Sequence, residues 1–210
     1  SNSDAGLGGS TVNATVLVNY PPTSTNDSAT TLEDTTIVLT STDFGTYADA
    51  DTPADPFISV KITTMPLTGT LEYDTTCNGN WTAVTLDQVI TVAHLDTNRL
   101  RFTPGTDLNG AAQVSLGFRV NDGNSFSVDP YTLSFDVTAV SDAPAGTNAT
   151  LTLNEDATHV LTVANFGFTD PKDSTSGTAN VLTTVTITTL PAAGTGTLTL
   201  DGTAVTAGAV

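Results

Sequence analysis

The phrase TLEDTTIVLTSTDFG, which begins at Thr31, returns as TLNEDATHVLTVANFGF from Thr152. The residues after each phrase also match in order: KITTMP answers to TITTLP, GTLEYD to GTLTLD, and TAVT to TAVT. The offsets are 122 for Glu33 to Glu155, 125 for Ile62 to Ile187, 127 for Gly69 to Gly196 and 121 for Thr82 to Thr203. A unit of this length is a whole domain, far longer than the roughly 20–50 residues of a solenoid repeat, so the expected architecture is domains in a row.

The repeat divides the 210 residues into three parts. Residues 24–144 form one complete unit. Residues 1–23 read as a terminal strand of a preceding unit or a donor strand, because STVNATVLVNYPP shares alternation and a closing proline with YTLSFDVTAVSDAP. Residues 145–210 cover the N-terminal part of a following unit, without counterparts of RLRFTPGTDLNG and SLGFRVNDG. The chain therefore reads as a window on a longer array, with an open sheet edge in its last unit that another segment would have to fill.

Local pattern points to an all-β fold. Tyr131, Leu133, Phe135 and Val137 alternate with polar residues, as do Val114, Leu116, Phe118 and Val120, Val12 to Val18, and Val185 with Ile187. This is the two-residue period of a half-buried strand. Asn78-Gly79, Asn109-Gly110, Asp122-Gly123 and Asp201-Gly202 supply residues that tolerate positive φ at turns. DQVITVAHLDTNRL from Asp87 has room for at most one helical turn, around His94 to Asn98. About seven short strands in a unit of this size read as an antiparallel β-sandwich of immunoglobulin-like type, repeated in tandem. Phe44, Phe57, Trp81, Phe102, Phe118 and Phe135 are its larger core candidates.

Twenty-two acidic residues against five basic ones give a net charge of −17. Nucleic-acid binding is disfavoured, since a phosphate backbone needs Lys and Arg to release its counterions. The acids gather at Glu33 and Asp34, at Asp49, Asp51 and Asp55, at Asp142, at Glu155 and Asp156, and at Asp170 and Asp173. Such loop carboxylates either keep the surface solvated or supply the oxygens of a calcium site. DADTPADPFISV is not an EF-hand loop: Pro53 and Ala54 stand where an oxygen ligand and the glycine belong, and Val60 replaces the bidentate Glu.

Other chemistries find little support. Cys77 is the single cysteine, so neither an intrachain disulfide nor a thiolate cluster can form. His94 and His159 lie in different units and read as strand residues, so a zinc site or a nucleophile–base pair lacks members. No apolar run has the length of a membrane helix. The four N-x-S/T triplets, at Asn13, Asn26, Asn80 and Asn148, arise easily in so Thr-rich a chain.

TLEDT and LNEDA at the first strand, RLRFTPGTDLNGAAQVSLGFRVNDG from Arg99 to Gly123, and the linker SDAP from Ser141 together resemble the bacterial cadherin-like repeats of large secreted surface proteins and repeats-in-toxin adhesins. The resemblance covers the whole chain, as one unit and two fragments. It implies an extracellular, cell-surface location and a non-catalytic role, with calcium at domain junctions stiffening the array. It assigns ligand roles to Asp142, Glu155, Asp170 and Asp173 at one junction, with Asp122 contributing from the preceding domain, and to Glu33, Asp49 and Asp51 at the earlier one. That earlier linker reads NYPP and carries Tyr20 where the second has Asp142. Expected partners are neighbouring repeats or other copies of the chain. Two alternative functions are a filament or surface-layer subunit that exchanges strands between protomers, and a carbohydrate-binding module that would take glycans or cell-surface receptors.

Overall fold

The structure, a computed structural model, describes residues 18–170, 172 and 180–209. It divides into two compact units, Ser1–Thr138 and Ala139–Val210. The leading segment around Val12 to Val18 lies outside the described residues, apart from Val18 itself. The fold is all-β: among the described residues, helix is limited to one α turn, α1 (Val92–Leu95), and two 3₁₀ turns.

The first unit holds nine strands among its described residues: β1 (Asp27–Leu32), β2 (Ile37–Leu39), β3 (Ser59–Thr64), β4 (Thr70–Tyr73), β5 (Thr82–Ala83), β6 (Val89–Thr91), β7 (Leu100–Thr103), β8 (Gly110–Asn121) and β9 (Tyr131–Thr138). They form a five-stranded sheet in the order β1-β9-β8-β3-β6 and a four-stranded sheet in the order β2-β7-β4-β5. β1 runs parallel to β9, and the other pairs are antiparallel. Between Ile62 and Thr64 the β3–β8 register slips, and there Gly117 leaves room: a Cβ on it would meet the Thr64 and Thr63 hydroxyls at 2.8 and 2.9 Å.

The two sheets share one core. Alternate residues of β8 and β9, namely Val114, Leu116, Phe118, Val120, Leu133, Phe135 and Val137, are buried as their spacing predicts. From the other sheet Leu39, Leu71, Leu100 and Phe102 join the same cluster. Phe102 of β7 stacks on Phe135 of β9 with ring centroids 4.0 Å apart, and Phe44 meets Phe118 edge-on at 5.0 Å. Trp81 departs from the expectation of a core role. It is half-buried on the outer face of the smaller sheet, under the Arg101 guanidinium at 4.1 Å, while Arg101 also pairs with Glu72. Phe57 is partly buried and stacks on Tyr47 at the edge of the core.

α1 lies two to three residues earlier than the sequence suggests, because the Thr91 hydroxyl caps it by accepting the His94 amide. His94 is thus on a helical turn rather than a strand, and its Nδ1 is hydrogen-bonded to the Tyr73 hydroxyl.

The second unit reproduces several local backbone features of the first. The 3₁₀ turn Ser41–Asp43, with Thr40 and Asp43 in a capping box, recurs as Val163–Phe166 with Thr162 and Asn165. The bridge Thr23↔Ala48 recurs as Ala145↔Thr169. Gly45 and Gly167 follow these turns at positive φ, each with a Cβ position 2.1 Å from an oxygen of the leading segment of its unit, so only glycine fits either place. The β4–β5 pair recurs as β10 (Thr199–Leu200) and β11 (Thr203–Ala204), joined by Asp201-Gly202 with both residues at positive φ. The amide of Asp87 donates to the Ile62 carbonyl, and that of Gly208 to the Ile187 carbonyl.

What differs is burial. Leu39 is 0% exposed and its counterpart Leu161 39%; Tyr73 is 6% exposed and its counterpart Leu200 65%. No strand is assigned around His159, where the equivalent of β2 would lie, since the partner that β7 provides in the first unit has no counterpart among the described residues of the second.

Candidate cation sites

After the first 3₁₀ turn the chain cannot continue as strand through YADADTPADP, and it folds instead around its own carboxylates. Asp49 Oδ1 accepts the amides of Asp51 at 2.9 Å and Asp55 at 3.1 Å, closing the loop. Asp49 Oδ2 is buried and has no hydrogen-bond partner among the described residues. The bridge from Thr23 to Ala48 ties this loop to the incoming chain, whose Tyr20 amide donates to both oxygens of Asp51 at 3.2 and 3.1 Å.

Asp122 arrives from the end of β8. It is 3% exposed, and its Oδ1 accepts the amides of Asn124 and Ser125, both at 2.6 Å. Its Oδ2 accepts from Asn19 Nδ2 at 3.2 Å and Ser125 Oγ at 3.3 Å. Asn124 Nδ2 in turn donates to Asp55 Oδ2 at 2.9 Å. Burial pushes the Asp122 carboxyl upward, but the two amides with the Asn19 and Ser125 side chains outweigh it and hold the group below the usual carboxylate range.

Tyr47 reads the field of this cluster. Its hydroxyl donates to the Asp55 carbonyl at 3.0 Å and its ring stacks on Phe57 at 5.0 Å. Burial first, and then the charges of Asp49, Asp122, Asp55 and Asp51, push its phenol up to about 12. A raised folded pKa favours the neutral phenol, so the stabilisation is complete below the ordinary value of 10.0 and is lost as pH rises toward 12. Urea unfolding between those pH values should therefore lose stability faster in the native chain than in Tyr47→Phe. Excess calcium should draw the phenol back toward its ordinary value if the cation sits among these carboxylates; an absorbance titration of tyrosinate checks both.

Glu33 lies elsewhere. β1 carries it to the end of the sheet opposite Asp122, where its amide donates to the Thr138 carbonyl and its Oε2 accepts from Asn109 Nδ2 at 2.9 Å. Beside it, Asp34 Oδ1 accepts the Asp107 amide at 3.2 Å. The structure thus joins Asp122 to Asp49, Asp51 and Asp55, and separates Glu33 from them. Asp55, one of the gathered acids, and Asn109, of an Asn-Gly turn, are marked in the sequence, while Asn19, Asp107 and Asn124 complete these two ends without standing out in it; the N-D-G run of the β8 turn is the one signal that marks the neighbourhood of Asn124.

In the second unit, Asp170 stands where Asp49 does in the first, at an offset of 121. It is 7% exposed, and neither of its carboxylate oxygens has a hydrogen-bond partner among the described residues. Ser141, Asp142, Asp170 and Asn180 line one groove of about 340 Å³. Asp142 is also 3.8 Å from Lys172 Nζ. Glu155 is exposed in a turn closed by the Ala157 amide on the Asn154 carbonyl, and Asp173 lies outside the described residues.

Among the described residues no group of three or more His, Cys, Asp and Glu side chains is gathered at metal-binding spacing. The fit to a cation rests instead on the orphaned oxygens. A buried carboxylate without a donor is costly, and a hard cation that accepts carboxylate, carbonyl and amide oxygens in flexible number is the natural complement. Asp49 Oδ2 would be its anchor in the first unit and the Asp170 carboxylate in the second, with the remaining ligands drawn from carbonyl oxygens or water.

Comparison with protein-family models, with curated proteins and with solved structures returned no match.

Proposed function

We propose that this chain is a non-catalytic structural module, a calcium-stiffened spacer in a tandem array of immunoglobulin-like, cadherin-like sandwiches on an extracellular bacterial surface protein. The observation that carries the reading is the pair Asp49 and Asp170: equivalent positions in two units, each with carboxylate oxygen buried and without a hydrogen-bond partner among the described residues. An accident of one loop would not recur 121 residues later in the same place. The shared core of two sheets and the repeated backbone bonds support the sandwich and its duplication. The strong acidity supports an export to salty surroundings and a need for counter-cations.

In this reading the work is mechanical. Calcium anchors the loop that carries Asp49 in the first unit and Asp170 in the second, and stiffness follows free calcium because the cation favours the arrangement that gathers its oxygens. Neighbouring repeats are the partners. Calorimetric titration with calcium tests it: the native chain should take up at least one ion per unit, Asp49→Asn should remove the first-unit site, and Asp170→Asn the second. Equal uptake by all three chains would sink the assignment.

A further inference from the structure

We propose that Lys61 and Arg119 bind one oxyanion of an acidic saccharide, a uronate carboxylate or a sulfate, on the outer face of the five-stranded sheet. The inference rests on the placement of charge in the first unit and not on the cation sites.

Lys61 of β3 stands directly opposite Arg119 of β8. Their neighbours Val60, Ile62, Phe118 and Val120 are 0% exposed, so strand alternation turns both cations to the outer face. Like charges at directly opposed positions, with Cβ atoms about 4.5–5.5 Å apart, destabilise a sheet. In a chain with 22 acidic residues, a carboxylate beside either one would relieve that cost. Among the described residues neither forms an ion pair, whereas Arg101 pairs with Glu72 and Lys172 Nζ lies 3.8 Å from Asp142.

Neutral groups hold the two cationic heads instead. Lys61 Nζ lies over the Phe126 ring, 4.7 Å from its centroid. Arg119 Nη1 donates to the carbonyls of Ser127, at 2.5 Å, and Val128. Such contacts fix position without cancelling charge. Lys61 Nζ and the Nε and Nη2 of Arg119 make no hydrogen bond among the described residues, so an oxyanion lying between the two strands would receive charged donors from both sides.

The rest of this face suits a sugar. Ser115 pairs with Ser134 and Gly117 with Thr132, which puts three hydroxyls on the same face beside a position with no side chain. Among the outward positions of β3, β8 and β9, Asp136 holds the one carboxylate. It lies five residues along β9 from Tyr131, the partner of Phe118, or about 17 Å away, and its Oδ1 accepts the Ala112 amide at 2.7 Å. A second copy of the chain is a poorer occupant, because it brings its own net charge of −17 against the same charge here, while an acidic sugar residue brings a single one.

The test titrates the full chain calorimetrically, in excess chelator, with three probes of equal length: an oligogalacturonate, a sulfated dextran oligosaccharide and uncharged dextran. At least one charged probe should bind and dextran should not, and the better of the two tells uronate from sulfate. Lys61→Gln should weaken that binding by about tenfold or more, the share of one charge-assisted hydrogen bond, and Lys61→Arg should restore most of it. Lys172→Gln should leave it unchanged. Arg119→Gln would also release the Ser127 and Val128 carbonyls, so Lys61 carries the test. The proposal is overturned if neither charged probe binds at millimolar concentration, if dextran binds as tightly, or if Lys61→Gln binds like the native chain. Tighter binding of a polyglutamate peptide than of either charged saccharide would assign the pair to an acidic polypeptide and overturn it too.

Discussion

Replacing Phe118 by alanine is expected to destabilise the first unit by about 3–5 kcal/mol in urea unfolding, the range for deleting a fully buried aromatic ring. Phe118 is 0% exposed and touches both Phe44 and Tyr131, so its loss opens a hole where the two sheets meet. β8 lies between β9 and β3, and neither neighbour can move inward without breaking its register. Removing a ring from the second unit by Phe166→Ala, at the position that Phe44 holds in the first, should cost less than about 1 kcal/mol, since Phe166 is only partly buried. Two equal losses would mean that the second unit has a closed core after all.

The second large effect is at Asp122. Asp122→Ala should cost about 1–2 kcal/mol, because it removes the ionised acceptor of the part-buried Asn124 and Ser125 amides and of the Asn19 side chain. The same carboxylate ties the β8 turn to the incoming segment through Asn19. Its pKa is held below the ordinary value of 3.8, so its stabilisation is present above that pH and is lost as pH falls through the folded value. Acid unfolding of the native chain should therefore be steeper below about pH 4 than that of Asp122→Ala. An unchanged acid limb in the variant would show that the loop is held by something else.

Much of the architecture is legible in the residue pattern because strand burial obeys a two-residue period. β8 and β9 are visible as alternation, and their turns as Asn-Gly and Asp-Gly. The duplicated phrase is legible too, down to the threonine that begins each 3₁₀ turn. What the pattern cannot carry is which strand end meets which loop. Asp122 follows a long strand antiparallel to β9, and only the sheet order brings it to the end of the unit that carries the Asp49–Asp55 loop. Glu33 directly follows the six residues of β1, whose other end lies toward Asp49, so the length of the strand puts it on the far side. Trp81 reads as core by size, yet β5 is two residues long and at the sheet edge, so the ring finds its cover in Arg101 on the outside. His159 reads as strand by alternation, but a strand also needs a neighbour, and the described residues of the second unit lack the equivalent of β7.

If cations complete the buried carboxylates at equivalent places in the two units, the stability of the whole chain must depend on calcium. The decisive experiment is thermal unfolding of the full chain in excess calcium and again in excess chelator, beside the Asp49→Asn and Asp170→Asn variants. Calcium at about a hundred times its dissociation constant should add about 2.7 kcal/mol per site and raise the melting temperature by several degrees. Each variant should lose the calcium increment of its own unit while melting normally, or higher, in chelator, where the orphaned charge is gone. Identical melting of the native chain in calcium and chelator would refute the cation sites, and would leave the carboxylates as solvating surface alone.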